Sequence, residues 1–160
     1  MQTPEHRIQA ACFFFTLRLA DRSATTLVDH IGLLRTALRR VKLSDPFEIV
    51  AMVVLPDHLH AVWRLPPRDQ DYRRRWALIK RTFAEALNPG QSVQLSRRLC
   101  RTPVIWQQCP WQQPIEGVDQ LRQRIAYVHA NPVKHGYVAH PEDWPYSSVH
   151  RQGAASSPHD

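Results

Sequence analysis

The sequence predicts an α+β sandwich, one antiparallel sheet with helices packed against it. Three observations carry this. Apolar runs of strand length, Cys12 to Leu17 and Phe47 to Leu55, alternate with segments whose apolar residues recur at helical spacing. Pro56-Asp57 is a tight turn between Phe47–Leu55 and a second run, His58–Leu65, so those two form a hairpin. The 160 residues contain no repeat and no linker, which fits a single core.

In chain order, residues 1–10 are polar. Cys12-Phe13-Phe14-Phe15-Thr16-Leu17 is short and aromatic, the pattern of a buried strand, with Cys12 part of its packing. Asp21 to Thr26 is a polar loop offering helix caps. Leu27, Ile31, Leu34, Leu38 and Val41 define one amphipathic helix, and Arg39, Arg40 and Lys42 suit the negative end of its dipole. The hairpin follows and Pro66-Pro67 stops it. Tyr72, Trp76, Ile79, Phe83 and Leu87 mark a second helix, ended by Asn88-Pro89-Gly90. Residues 91–103 read as a polar, basic loop, and Val104-Ile105-Trp106 as a short strand. A third helix is expected from Val118 to Ala130, limited by Pro132. His135-Gly136 reads as a terminating turn, and the stretch after it as irregular but aromatic. The order is that of a ferredoxin-like sandwich, with one domain over residues 1–150 and a disordered tail over 151–160.

Composition narrows the functional classes. Lysine and arginine number 21 against 14 acids, a formal charge of +7 that suits a polyanion as well as a plain basic surface. No apolar run approaches the roughly 20 residues that cross a bilayer, and no secretory pattern opens the chain, so a cytoplasmic protein with no membrane partner is expected. The cysteines Cys12, Cys100 and Cys109 are odd in number and not spaced as a zinc or redox pair.

Two constellations carry chemistry. His58 and His60 alternate on a predicted strand, so both imidazoles face one side while Leu59, Ala61 and Trp63 face the other. Two neutral nitrogens can then meet one divalent ion, although this spacing alone does not distinguish a metal site from two unrelated histidines. Tyr127 and Asn131, four residues apart, share one helical face; Gln120 and Arg124 continue that stripe, and Leu121, Ile125 and Val128 lie about a quarter-turn away. Tyr127 is either a boundary residue with its hydroxyl in water or a nucleophile beside an amide oxygen that completes the metal site. Phosphodiester cleavage needs such a nucleophile and neutralisation of the phosphate. A tyrosine hydroxyl, with a reference pKa of about 10, is helped by a nearby cation. Oxygen and imidazole donors suit Mg2+ or Mn2+. Arg73, Arg74, Arg75, Lys80 and Arg81 on the second helix are candidate phosphate contacts or a solvated face. Lys134 is a candidate phosphate contact or a helix C-terminal charge, and Trp144 and Tyr146 are candidates for base stacking or for anchoring the tail.

Leu55-Pro56-Asp57-His58-Leu59-His60-Ala61-Val62-Trp63 resembles the HUH motif of single-strand tyrosine transposases. Ala126 to Gly136 (AYVHANPVKHG) resembles their tyrosine helix, and Asp143-Trp144-Pro145-Tyr146-Ser147-Ser148 the tail after it. In this order the three resemble the REP-associated tyrosine transposases, over about Phe13 to Ser148. The resemblance implies that Tyr127 is the nucleophile and that His58, His60 and Asn131 hold the metal. It implies a single-stranded DNA substrate beside a palindromic hairpin, cleaved and rejoined through a 5′-phosphotyrosine without a nucleotide cofactor. It also implies a monomer, and a DNA-reading role for the region that holds Arg7. From their charge alone, Arg73, Arg74, Arg75, Lys80, Arg81, Arg124 and Lys134 are the other candidate DNA contacts. Two positions depart from the pattern. Where the family carries Trp-Glu-His, the chain has Trp111-Gln112-Gln113, and only His6-Arg7 stands where Tyr-Arg-Arg and Pro-Gly-Gly precede the first strand. The first departure raises the alternative of a hairpin binder without catalysis, and the second an altered DNA target. A water-using nuclease is a third, more distant reading.

Overall fold

Alternation along the first strand sets the architecture, with Phe13, Phe15 and Leu17 entering one core and Phe14 another. The computed structural model describes residues 10–89, 105–108 and 110–154. Its elements are β1 (Cys12–Arg18), α1 (Thr26–Asp29), α2 (Ile31–Ser44), β2 (Glu48–Val54), β3 (His58–Arg64), α3 (Tyr72–Leu87), β4 (Trp111–Ile115), α4 (Gly117–Lys134), a 3-10 turn at Pro141–Asp143, and α5 (Val149–Ala154). The strands form one sheet in the order β2-β3-β1-β4, every neighbour antiparallel. This is the ferredoxin-like arrangement expected from the element order.

The larger core lies on the face covered by α2 and α3. Phe13, Phe15, Leu59, Ala61 and Trp63 of the sheet meet Leu34, Leu38, Trp76, Ile79 and Phe83 of the helices. Trp63 and Trp76 stack with centroids 4.0 Å apart, a packing that adds to the area term. The Asp71 carboxylate accepts from the Arg74 backbone N–H at 3.0 Å and caps α3. The other face carries a smaller core of Phe14, Ala51, Val53, Leu55, Val62 and Val128, against which Leu121, Ile125 and Tyr127 of α4 pack. The chain after α4 closes the β2 edge. Val54 N–H donates to the Tyr146 carbonyl at 2.8 Å, and Ser148 N–H to the Met52 carbonyl at 2.8 Å. The Trp144 indole donates to the Val54 carbonyl at 2.9 Å, so Trp144 anchors the tail.

Five expectations change. The single first helix is two, broken at His30, whose N–H serves the end of α1. Trp106 makes only an isolated bridge to Leu19; the fourth strand is Trp111–Ile115, which β1 recruits as an edge partner and where Pro114 is tolerated. Pro132 does not limit the third helix, which runs on to Lys134 because burial of Pro132 and Asn131 holds the turn. It ends at His135-Gly136, where Gly136 adopts φ 77 and Tyr137 N–H donates to the Pro132 carbonyl. Cys12 is half-buried rather than enclosed. Finally, α5 takes in residues 151–154 of the expected tail. Arg7, Cys100, Cys109, the whole 91–104 stretch and residues 155–160 lie outside the described residues.

Candidate active site

The site lies between β3, β1 and α4, on the face with the smaller core. His58 and His60 are each 4 % exposed, with ring centroids 5.1 Å apart. Each is oriented through Nδ1. The His58 Nδ1 pairs with Asp57 Oδ1 at 2.8 Å, and the His60 Nδ1 with Thr16 Oγ1 at 2.8 Å. The Thr16 bond follows from sheet register, since Thr16 stands directly opposite His60. With Nδ1 engaged on both rings, Nε2 is the atom each imidazole has left for a ligand, the arrangement in which outer partners set tautomer and ring angle. Arg22 Nε donates to the other Asp57 oxygen at 2.6 Å.

The electrostatics keep both rings neutral. Burial pulls the His60 imidazole down to about 3, because a proton there would also face His58, His135 and Arg18; the Asn131 side chain opposes the shift. Burial also lowers His58, against the opposing pull of Asp57. Burial pushes the Asp57 carboxyl up, but hydrogen bonds from His58 and Arg22 outweigh it and leave Asp57 below its ordinary value. Neutral imidazole is the metal-binding form.

Helix α4 supplies the opposite wall. Tyr127 is half-buried, its ring centroid 5.4 Å from that of His60 and 5.8 Å from that of Phe14. Asn131 is 1 % exposed and lies one turn on. Its Nδ2 makes a long contact of 3.5 Å to the Tyr127 carbonyl. Its Oδ1 is buried without a hydrogen-bond partner, the one such oxygen among the described side chains. A buried acceptor left unpaired costs about 1–3 kcal/mol, so this oxygen could hold a cation or accept from a bound group. No three His, Cys, Asp or Glu side chains converge on a metal site among the described residues. Extension of α4 past Pro132 brings two more groups in. Lys134 Nζ lies 5.0 Å from the Tyr127 ring centroid, and the His135 ring 5.1 Å from that of His58.

The basic residues divide. Arg124 joins the site, with its guanidinium 4.6 Å from the Phe14 centroid, hydrogen-bonded to Gln113 Oε1. Arg73, Arg74, Lys80 and Arg81 lie on α3, across the sheet from Tyr127; Arg81 pairs with Glu85 at 3.5 Å and Arg74 with Asp45 at 3.8 Å. Arg75, expected as a phosphate contact, is 2 % exposed. Its guanidinium binds Asp69 at 2.7 Å and the carbonyls of Asp45, Pro46 and Asp71, so it ties the start of α3 to the loop before β2. Of the two departing glutamines, Gln113 pairs with Phe14 on the site face and Gln112 with Phe15 on the other. Sequence reasoning missed Thr16 and Asp57 as orienting groups, and His135. A lone polar residue in the aromatic run of β1 was the available signal for Thr16.

A His-x-His strand facing a tyrosine-bearing helix on a ferredoxin-like sheet defines the class of the tyrosine transposases. No family model matches the chain. The REP-associated tyrosine transposase of Escherichia coli is 38 % identical over 147 residues, covering 92 % of this chain and 81 % of the relative. A relative from Haemophilus influenzae assigned to the same family is 40 % identical over 141 residues, 87 % of this chain and 80 % of its own length. Among solved structures, a REP-associated tyrosine transposase bound to a REP hairpin matches with a TM-score of 0.81 at 36 % identity, covering 99 % of this chain and 88 % of that one. A Deinococcus radiodurans protein shares the fold, with a TM-score of 0.52 at 16 % identity over 82 % of this chain and 97 % of its own. The chain belongs to the REP-associated tyrosine transposases.

Proposed function

We propose that this protein nicks and rejoins single-stranded DNA beside palindromic hairpins, with Tyr127 as the nucleophile. The observation that carries the reading is the meeting of Tyr127, two neutral imidazoles and the unpaired Asn131 oxygen at one wall of the sheet. His58, His60 and Asn131 would hold a divalent metal, Mg2+ or Mn2+. When bound, that ion supplies positive charge to the scissile phosphate. Thr16 and Asp57 fix the imidazoles. The Tyr127 oxygen attacks phosphorus as its proton leaves to solvent. The P–O3′ bond breaks, the departing oxygen takes up a proton as a free 3′-hydroxyl, and a 5′-phosphotyrosine remains. Rejoining is the reverse, with a 3′-hydroxyl attacking the phosphotyrosine and Tyr127 recovering its proton. The number of ester bonds is conserved, so no nucleotide is consumed. Lys134, beside the Tyr127 ring, is suited to the charge of the phosphate.

The protein acts as a monomer on cytoplasmic DNA, in one domain that includes α5. Its hairpin partner follows from the relative solved with a REP hairpin. The glutamines do not favour a binder without catalysis, because neither displaces a member of the His58, His60, Asn131 and Tyr127 set. The test is a denaturing gel of protein incubated with labelled hairpin DNA and Mn2+. A slow-migrating adduct is expected in wild type and a complete loss in Tyr127→Phe. An adduct that persists in the variant would reject the nucleophile, and binding with no adduct in wild type would favour the degenerate reading.

A further inference from the structure

A cavity of about 380 Å³ runs from the His60, Thr16 and Tyr127 wall toward β4, where Phe14, Arg18, Gln107, Trp111 and Arg124 complete its lining. Its volume is that of a small-molecule site. Trp111 is 53 % exposed at the start of β4, where it pairs with Thr16 at the end of the β1–β4 ladder. Its ring meets Phe14 edge-on at 5.6 Å. The Arg124 guanidinium lies 4.6 Å from the Phe14 centroid and 5.7 Å from that of Trp111, and Gln113 tethers it. On the opposite lip, Gln107 N–H donates to the Arg18 carbonyl at 2.9 Å, which holds the two residues side by side.

We propose that this cavity binds one unpaired nucleobase of the cleaved strand, next to the scissile phosphate. The chemistry selects a base over a bare phosphate. A phosphate has no use for an open indole face, whereas every base has a π-face for stacking. Arginine and glutamine together supply the donors and the acceptor that a base edge presents to be matched. Because Tyr127 forms one wall, the base in the cavity is the one that adjoins the phosphate this residue attacks. Gln113 gains a purpose here: it holds Arg124 against the aromatic floor, where the family pattern has histidine. The inference rests on the proposed cleavage reading for the identity of the strand.

The test uses the full chain and a set of hairpin oligonucleotides with single-stranded flanks, each with 2-aminopurine at one flank position. Fluorescence quenching by wild type at one position is expected, lost in Trp111→Leu and kept in Trp111→Phe. The affinity ratio of flanked to flankless hairpin should fall about tenfold in Trp111→Leu. Equal quenching by wild type and Trp111→Leu, or none at any flank position, would overturn the pocket. Covalent adduct is scored on the same samples. Trp111-dependent quenching without adduct would support the pocket and overturn the cleavage reading. Adduct without such quenching would overturn the pocket alone.

Discussion

The two faces of the sheet are built from the same strands but to different ends. Toward α2 and α3, alternate residues of β1 and β3 are Phe13, Phe15, Leu59, Ala61 and Trp63, and they close a dry aromatic core. Toward α4, the intervening residues are Phe14, Thr16, His58, His60 and Val62, three of the five polar. The first face stabilises the fold. The second uses it, keeping buried imidazoles neutral and leaving the Asn131 oxygen unpaired. Period-two alternation thus separates stability from chemistry within seven-residue strands.

That division is tested most severely by two substitutions. Trp63→Ala should cost about 3–5 kcal/mol in urea unfolding. Asn131→Leu should instead stabilise the fold by about 1 kcal/mol, by removing an unpaired buried acceptor, while Mn2+ binding measured by calorimetry is lost. A large destabilisation by Asn131→Leu would make Asn131 structural. Next in size, Thr16→Val removes the partner of His60 Nδ1 and should weaken Mn2+ roughly tenfold with the fold retained.

The histidines of the site face give a smaller, pH-dependent effect. His58, His60 and His129 are all held below their ordinary value of 6.5, each chiefly by burial. Below that pH the unfolded chain binds more protons than the folded one. Stability should therefore fall as pH drops through 6.5, with the His60 share accruing down to about 3. Urea midpoints at a series of pH values would check this, and His129→Gln should flatten the slope. The smallest effect belongs to the far face. Combined Arg73→Ala and Arg81→Ala should leave adduct yield within about twofold, because α3 packs across the sheet from Tyr127. A drop of tenfold or more would mean that the hairpin wraps to that side.

Much of this site was legible because its signals are local. The His58–His60 alternation and the Tyr127–Asn131 helical step need only the period of a strand and of a helix. What escaped depends on pairing across the chain. Thr16 meets His60 through strand register 44 residues away. The fourth strand was hidden by Pro114 and two glutamines, since an edge position tolerates residues that local propensity rejects. Pro132 misled for a related reason. Its loss of one helical bond is outweighed by the burial of its own turn, and only the continued helix carries Lys134 back to Tyr127. Arg75 misled because a charge run gives no sign of which member turns inward.

The most direct measurement is the site of covalent attachment. Wild-type adduct would be denatured, trimmed with nuclease, digested with trypsin and read by mass spectrometry. The nucleotide mass should ride on the peptide Ile125–Lys134, on Tyr127. Attachment to Tyr72, Tyr137 or Tyr146, or to no peptide when the DNA has been cut, would contradict the account.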